Sequence, residues 1–307
     1  MTDPRFTFPA GLSGFAFGEA PINRADALRD DPEALARLWP LARLIVLDAD
    51  GNAFADAKGE LLVTSGEAIG GGPGAAVFLG LHGAVAWFSI DASLVPLQAP
   101  QRIDLRRAAS NWPAADASAF AFARAMQHWR ARSRFCGVCG AMVEFRRAGY
   151  VAHCSQCGTD HYPRVDPAVI VAVSDGERLL LGRQASWPAN RYSVIAGFVE
   201  PGESLEQTVV REVFEETHVR VRGCRYLGSQ PWPFPGALML GFSADAEADA
   251  PQVDGELEDA RWFSVEEIAA ARQREPGDGS GILLSPRISI ARSLIEHWHA
   301  GMQARRD

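Results

Sequence analysis

The chain has 307 residues and a mass of 33.2 kDa, with 47% hydrophobic and 22% charged residues, ordinary globular values that exclude wholesale disorder. Thirty Lys and Arg against 38 Asp and Glu leave a formal charge of −8. A chain this acidic has no bulk attraction for nucleic acid or an anionic membrane, so any phosphate it binds must be met by local groups or a metal ion.

The length suggests two domains with room for a small third module. No apolar run reaches the roughly 18 residues a membrane helix needs, and MTDPRFTFPAGLSGF lacks a basic start followed by an apolar core. A cytoplasmic protein without membrane contact is expected. Four of the five cysteines fall into two close pairs, which points to metal rather than to disulfides; Cys224 reads as a small, partly buried hydrophobe.

Residues 41–91 read as short strands (LARLIVLDAD, GELLVT, AAVFLGL, AVAWFSID) between Gly-, Asp- and Asn-rich turns, an antiparallel pattern. GEAIGGGPG at 66–74 lacks the Lys-Ser/Thr ending of a phosphate loop and is expected to connect a hairpin. After the break at Trp112-Pro113, Phe120, Ala123, Met126 and Trp129 recur at helical spacing up to Ala131. Residues 132–162 form a Cys- and Gly-bearing insert too short to build a core. From Pro163, PAVIVAVS and ERLLLGRQ flank Asp175-Gly176, a hairpin signal. A helix over about 204–217, a strand near 224–229, a Pro-aromatic loop at 229–236 and a strand at 238–245 follow, and WFSVEEIAAAR and SPRISIARSLIEHWHA read as closing helices. The division expected is a β-rich N-terminal domain ending in a helix (1–131), the insert (132–162) and a larger domain (163–307).

Within the insert, Cys136-Gly-Val-Cys139-Gly and Cys154-Ser-Gln-Cys157-Gly are separated by fourteen residues. Each C-x2-C pair lets one tight turn present two thiolates to one ion, and the Gly after it allows the turn to close at positive φ. Four thiolates suit tetrahedral Zn²⁺ and leave no open position for a catalytic water, so the zinc is expected to be structural, one ion per chain. Two redox CxxC motifs are the competing reading, but one pair would serve that chemistry and no thioredoxin-like βαβ surrounds them. His153 and His161 flank a ligand set already complete.

The segment Gly197 to Val219 carries the second constellation. Ser204 and Gln207 form a capping-box arrangement after the Pro201-Gly202 turn. Leu205, Val209 and Val213 repeat along one helix face, with Val210 and Phe214 expected to widen the stripe. Glu212, Glu215 and Glu216 fall on another face, where like charges are neighbours and destabilise a bare helix. A solvated acidic face, with Arg211 pairing Glu215, is one reading. The other is that the carboxylates hold Mg²⁺ or Mn²⁺, whose charge removes the repulsion.

This segment resembles the Nudix box, G-x5-E-x7-R-E-U-x-E-E-x-G-U with U aliphatic. Gly197, Glu203, Arg211, Glu212, Val213, Glu215, Glu216 and Val219 match; His218 stands where the pattern has Gly, at a helix end where a left-handed residue is common. Ser229 to Pro235, SQPWPFP, together with a four-Cys ribbon directly before the box domain, resembles the NADH pyrophosphatase (NudC-type) branch of the Nudix hydrolases. The fold so implied is α+β, a Nudix α/β/α sandwich preceded by a zinc ribbon and a β-rich N-terminal domain.

The resemblance implies Glu212, Glu215 and Glu216 as catalytic residues, with the Ala196 carbonyl, Glu212, Glu216 and Glu256 around a catalytic Mg²⁺ or Mn²⁺. It implies substrate contacts at Tyr162, Phe198, Gln230, Pro231, Trp232, Pro233, Phe234, Pro235, Gly236, Ala237, Glu256 and Ala291. The family has Ser at the position of Ala237. Family members are homodimers and cleave the pyrophosphate of NAD(H) to AMP and a nicotinamide mononucleotide. Other readings are a preference for ADP-ribose, diadenosine polyphosphates or RNA with a 5′ NAD cap, or a non-catalytic nucleotide-sensing regulator, against which the intact glutamates weigh. A zinc-ribbon nucleic-acid module is disfavoured by the charge.

Overall fold

The structure, a computed structural model, describes residues 12–18, 22–274 and 281–305. The first eleven residues, on which the expectation about a leader rests, lie outside the described residues. Two compact units are present, one of Glu19–Val165 with Trp232–Gly236, the other of Met1–Gly18, Asp166–Pro231 and Ala237–Asp307.

In the first unit, α1 (Pro32–Leu38) is capped by Asp31, whose carboxylate accepts the Ala34 N–H at 2.8 Å. Strands β1 (Arg43–Leu47), β2 (Ala53–Ala55) and β3 (Val63–Ser65) precede α2 (Gly66–Ile69), β4 (Val77–His82), β5 (Val85–Asp91) and β6 (Gln101–Ile103). The sheet order is β4-β5-β1-β2-β6, with β3 also on β1. Two expectations are corrected here. The sheet is mixed, because β1 runs parallel to β5 with Ile45 opposite Ser89. Residues 66–74 do not close a hairpin: β3 pairs with β1 and β4 with β5, and the segment between them opens with a helix capped by Ser65. Trp39, Leu44, Val46, Phe54, Phe78 and Phe88 form the core.

Asp104 caps α3 (Leu105–Asn111), and α4 (Ala114–Arg132) follows, burying the expected Phe120, Ala123, Met126 and Trp129. The ribbon's β7 (Glu144–Arg146), β8 (Val151–His153) and β9 (Asp160–His161) make a three-stranded sheet in the same unit.

The second unit begins with a short N-terminal segment in which Leu12 and Phe15 pack against its core. Strands β10 (Asp166–Ser174), β11 (Leu179–Arg183), β12 (Arg191–Tyr192) and β13 (Ile195–Phe198) lead to α5 (Leu205–Thr217), β14 (Val221–Trp232), β15 (Ala237–Ala246), β16 (Asp259–Phe263), α6 (Val265–Arg272), β17 (Leu283–Leu284) and α7 (Ile290–Ala304). The main sheet runs β14-β15-β10-β11-β16, with β13 on β10. The Asp175-Gly176 hairpin forms as expected, Asp175 accepting the Arg178 N–H at 2.7 Å.

Central β10 is apolar on both faces because both are covered. Val169, Val171 and Val173 pack with Val209 and Val213 of α5, while Ile170 and Ala172 pack with Ile290, Leu294 and Ile295 of α7. The result is the expected α/β/α sandwich. Three local expectations change. Val210 and Phe214 are exposed, so the buried stripe of α5 is narrower than its apolar pattern. All of SQPW lies in strand rather than loop, since β14 reaches Trp232 as an edge strand, where Pro231 is tolerated. The first apolar residues of WFSVEEIAAAR belong to β16, and the helix starts only after the Ser264 capping box.

Candidate active site and zinc centre

The two knuckles fold alike. Cys136 N–H donates to the Ala141 carbonyl at 2.7 Å and Cys154 N–H to the Thr159 carbonyl at 2.9 Å. Gly140 and Gly158, at φ 76° and 75°, close the two turns by donating to the Cys136 and Cys154 carbonyls. The sulfurs of Cys136, Cys139, Cys154 and Cys157 all lie within 4.8 Å of one another, with 3.6 Å between Cys136 and Cys157 and 3.4 Å between Cys139 and Cys154. Tetrahedral zinc with bonds of about 2.3 Å needs sulfurs about 3.8 Å apart, so the cradle fits the ion. Backbone N–H donation at Cys139, the His161 ring and the Val138 N–H hold the Cys136 thiol down at about 5, whereas Cys139, against the pull of the Ala141 N–H, is pushed up to about 12 by hydrogen bonding to the Cys154 thiol and by burial. His161 Nε2 lies 3.3 Å from Cys136 Sγ, outside the ligand set as expected.

The Nudix-box segment is fixed by its own side chains. Ser204 and Gln207 make a reciprocal cap at the start of α5. Arg211 is the hub. Its Nε donates to Glu203 Oε1 at 2.6 Å, its Nη1 to Glu212 Oε1 at 3.0 Å and Glu215 Oε2 at 2.9 Å, and its Nη2 to the Phe198 carbonyl at 2.9 Å. The Arg211 guanidinium holds Glu203 down at about 2, assisted by the Glu200 N–H and Thr208 hydroxyl. These bonds tie the helix to the end of β13. Gly197 stands opposite Val169 in β13, and a Cβ there would lie 1.9 Å from Glu212 Cδ. The missing side chain is what admits the carboxylate.

The three box carboxylates are not equivalent. Glu215 lies on the exposed flank of α5, where it pairs with Arg211 at 2.9 Å. Glu216 is only 6% exposed, and among the described residues no side chain bonds it. Burial, reinforced by the charges of Glu256 and Glu212, pushes its carboxyl up to about 8. Burial also raises Glu212, with Glu215 and Glu256 adding to the effect against the opposing pull of Arg211. Glu256 lies exposed in the loop before β16. A carboxyl buried without a described counter-charge and raised by two neighbouring glutamates offers hard oxygens of the kind Mg²⁺ or Mn²⁺ prefers. Ala196, opposite Ile170 in β13, directly precedes Gly197. His218 adopts the left-handed conformation, φ 56° and ψ 14°, in which the pattern has Gly; its N–H closes the helix on the Phe214 carbonyl at 2.7 Å.

The expected substrate residues divide. Tyr162 and Phe198 are exposed, while Trp232 and Phe234 are half-buried with ring centroids 4.8 Å apart. Pro231 and Pro235 are exposed, Pro233 is buried, and Gly236 and Ala237 are half-buried. Gln230 is a correction. It is 0% exposed, its amide N–H groups donate to the carbonyls of Ala16 and Ile288 at 2.9 and 2.7 Å, and its oxygen accepts the Ile290 N–H at 2.8 Å. Fully buried, with both N–H groups and its oxygen engaged by backbone, it presents no exposed atom to a ligand. Gln230 instead ties β14 to the first turn of α7, where Ala291 is itself buried.

Two family models match the chain: the NUDIX domain over residues 164–282 and the NADH pyrophosphatase zinc ribbon domain over residues 131–162. The chain is 40% identical over 291 residues to the NAD-capped RNA hydrolase NudC of Mycobacterium bovis (strain BCG / Pasteur 1173P2), covering 91% of this chain and 92% of that protein. It is 40% identical over 222 residues to the protein of that name in Chromobacterium violaceum, covering 72% and 79% of the two chains. Over 170 residues it is 44% identical to the Stutzerimonas stutzeri protein of that name, covering 55% and 56%.

Proposed function

The chain belongs to the NudC family of Nudix hydrolases, and from that premise we propose that it hydrolyses the pyrophosphate bond of NAD(H), giving AMP and nicotinamide mononucleotide, and removes NAD caps from RNA by the same cleavage. The observation that carries the reading is the buried Glu216, raised by Glu212 and Glu256, on a helix whose Arg211 is saturated by other acceptors.

Glu212, Glu216, Glu256 and the Ala196 carbonyl are the proposed ligands of Mg²⁺ or Mn²⁺. When bound there, such an ion would offset the charge of the diphosphate and make a water more acidic. Glu203 and Thr208 brace Arg211, which in turn holds the Glu212 carboxylate, so little reorganisation of that ligand would accompany ion binding. A glutamate of the cluster accepts the water's proton. Trp232 and Phe234 offer flat faces on which a nicotinamide or adenine ring stacks. An acidic protein thereby binds an anionic substrate through a cation.

The zinc remains structural: its four protein thiolates leave no position for water. A cytoplasmic site of action is supported by five free thiols, four of them in a metal cradle. A homodimer is supported by exposed Val210 and Phe214, one turn apart on α5, apolar groups a second copy would cover. The test is purified protein with Mn²⁺, offered NADH, NAD⁺, ADP-ribose and NAD-capped RNA, with products identified. AMP and nicotinamide mononucleotide from NADH, and 5′-monophosphate RNA from capped RNA, are expected. Hydrolysis of ADP-ribose alone contradicts the reading.

A further inference from the structure

The N-terminal unit contains two arginines whose described partners are rings rather than carboxylates. Arg106, in the first turn of α3, places its guanidinium carbon 4.3 Å from the Phe234 ring centroid and 5.6 Å from that of Trp232. Arg124, in the middle of α4, lies 5.5 Å from the Phe234 centroid and donates through Nη1 to the Pro233 carbonyl. Asp104 is the nearby acid: one oxygen of its carboxylate accepts the Arg106 and Arg107 N–H groups at 2.9 and 3.0 Å, and its charge acts on Arg124 without a described hydrogen bond. Arg124 is also confined from its other side: a Cβ on Gly51, in the turn between β1 and β2, would lie 3.2 Å from Arg124 Nε.

The turn Trp232–Gly236 therefore groups with the N-terminal unit although its flanking strands belong to the other unit. Two cations over the rings, plus one donor on the intervening carbonyl, hold the ring positions. Rings already ordered lose little conformational freedom when a flat base stacks on them.

We propose that Arg106 and Arg124 are positioning residues for the Trp232–Phe234 pair, and that the N-terminal domain thereby sets the affinity of the enzyme for its dinucleotide substrate. The inference rests on the proposed role of these rings as the surface that receives the base. Neither arginine takes part in bond cleavage, so the effect falls on KM and not on kcat.

The experiment compares NADH hydrolysis with Mn²⁺ by the wild type, Arg106→Gln/Arg124→Gln, Arg106→Lys/Arg124→Lys, Trp232→Ala/Phe234→Ala and the four-fold combination of the Gln and Ala changes. The Gln pair should raise KM at least about tenfold with kcat within about twofold, while the Lys pair, which keeps the charge, should stay within about threefold of wild type. In the ring-less background the Gln pair should add less than about twofold, because the arginines act only through the rings. A folded Gln pair with unchanged KM, or one that raises KM equally without the rings, overturns the clamp. If Trp232→Ala/Phe234→Ala leaves KM unchanged, the reading of the turn itself fails and the clamp falls with it. Should the Gln pair fail to fold, Arg106→Gln alone decides: it breaks no described side-chain hydrogen bond and removes only the cation above the rings.

Discussion

The carboxylate of Glu212 occupies the space that a side chain on Gly197 would fill: an ideal Cβ there falls 1.9 Å from Glu212 Cδ and 2.1 Å from each carboxylate oxygen. Real Cβ atoms do not approach so closely, so Gly197→Ala must displace the glutamate or separate α5 from β13. The expected outcome is a drop in kcat/KM for NADH of at least about a hundredfold, roughly 2.7 kcal/mol of transition-state stabilisation. The protein should also bind Mn²⁺ more weakly. Steady-state kinetics with a Mn²⁺ titration checks this, and an alanine variant of normal activity would show that Glu212 need not lie against β13.

Gln230 tests a different separation, between holding the fold and touching substrate. Gln230→Leu strands the carbonyls of Ala16 and Ile288 and the N–H of Ile290, all now bonded to the buried amide. A cost of about 2–3 kcal/mol is expected, or a fall in Tm of about 4–12 °C for a unit of this size. The ratio of kcat/KM for NADH to that for ADP-ribose should not move. A changed ratio at unchanged Tm would restore Gln230 to the substrate contacts.

For the ribbon, Cys136→Ser or Cys154→Ser should release zinc and lower Tm, since ion binding and folding are coupled in such a cradle. Metal content by elemental analysis beside a melting curve decides it. Full zinc occupancy at wild-type stability in both variants speaks against the four-thiolate site.

The buried carboxyl of Glu216 makes a pH prediction for the metal-free protein. In the unfolded chain a glutamate releases its proton near about 4.3; in the folded protein burial and the charges of Glu256 and Glu212 hold it to about 8. Between those values the folded state binds the extra proton. Stability from this group is therefore complete below the lower value, falls as pH rises through the interval and levels off above about 8. A divalent ion binds the deprotonated carboxylate, so the gain in Tm on adding Mn²⁺ should be larger at pH 8 than at pH 6. Melting curves with EDTA and with Mn²⁺ measure this; equal gains at the two pH values contradict it.

Local signals carried most of what could be read before the structure. The cap of Ser204 and Gln207, the Asp175-Gly176 hairpin, the two cysteine knuckles and the left-handed His218 each depend on a few adjacent residues, and each forms as expected. The misreadings concern partners distant in the chain. The glycine run at 66–74 says that the backbone turns, not that β3 and β4 go to different neighbours, and parallel pairing of β1 with β5 leaves no local mark. Val210 and Phe214 have the right period for a core stripe, but the sheet covers only the narrower face of α5. Among the candidate site residues, the box spacing carries no mark of the burial of Glu216 or of the exposure of Glu215 beside Arg211, and the burial of Gln230 shows only once its three backbone partners converge on it.

The account stands on Glu216 as a ligand of the catalytic ion, and Glu216→Gln addresses that most directly. The amide keeps the volume and the helix but, unlike a carboxyl that burial, Glu256 and Glu212 hold protonated to about 8, it cannot become the carboxylate an ion would bind. Folding should be unharmed, with Tm equal to wild type or slightly higher in EDTA. Turnover of NADH at saturating Mn²⁺ should fall at least about a hundredfold, while Glu206→Gln, on the exposed side of the same helix, remains near wild type. A Glu216→Gln enzyme that is folded and hydrolyses NADH at the normal rate would reduce α5 to an acidic helix without a catalytic ion.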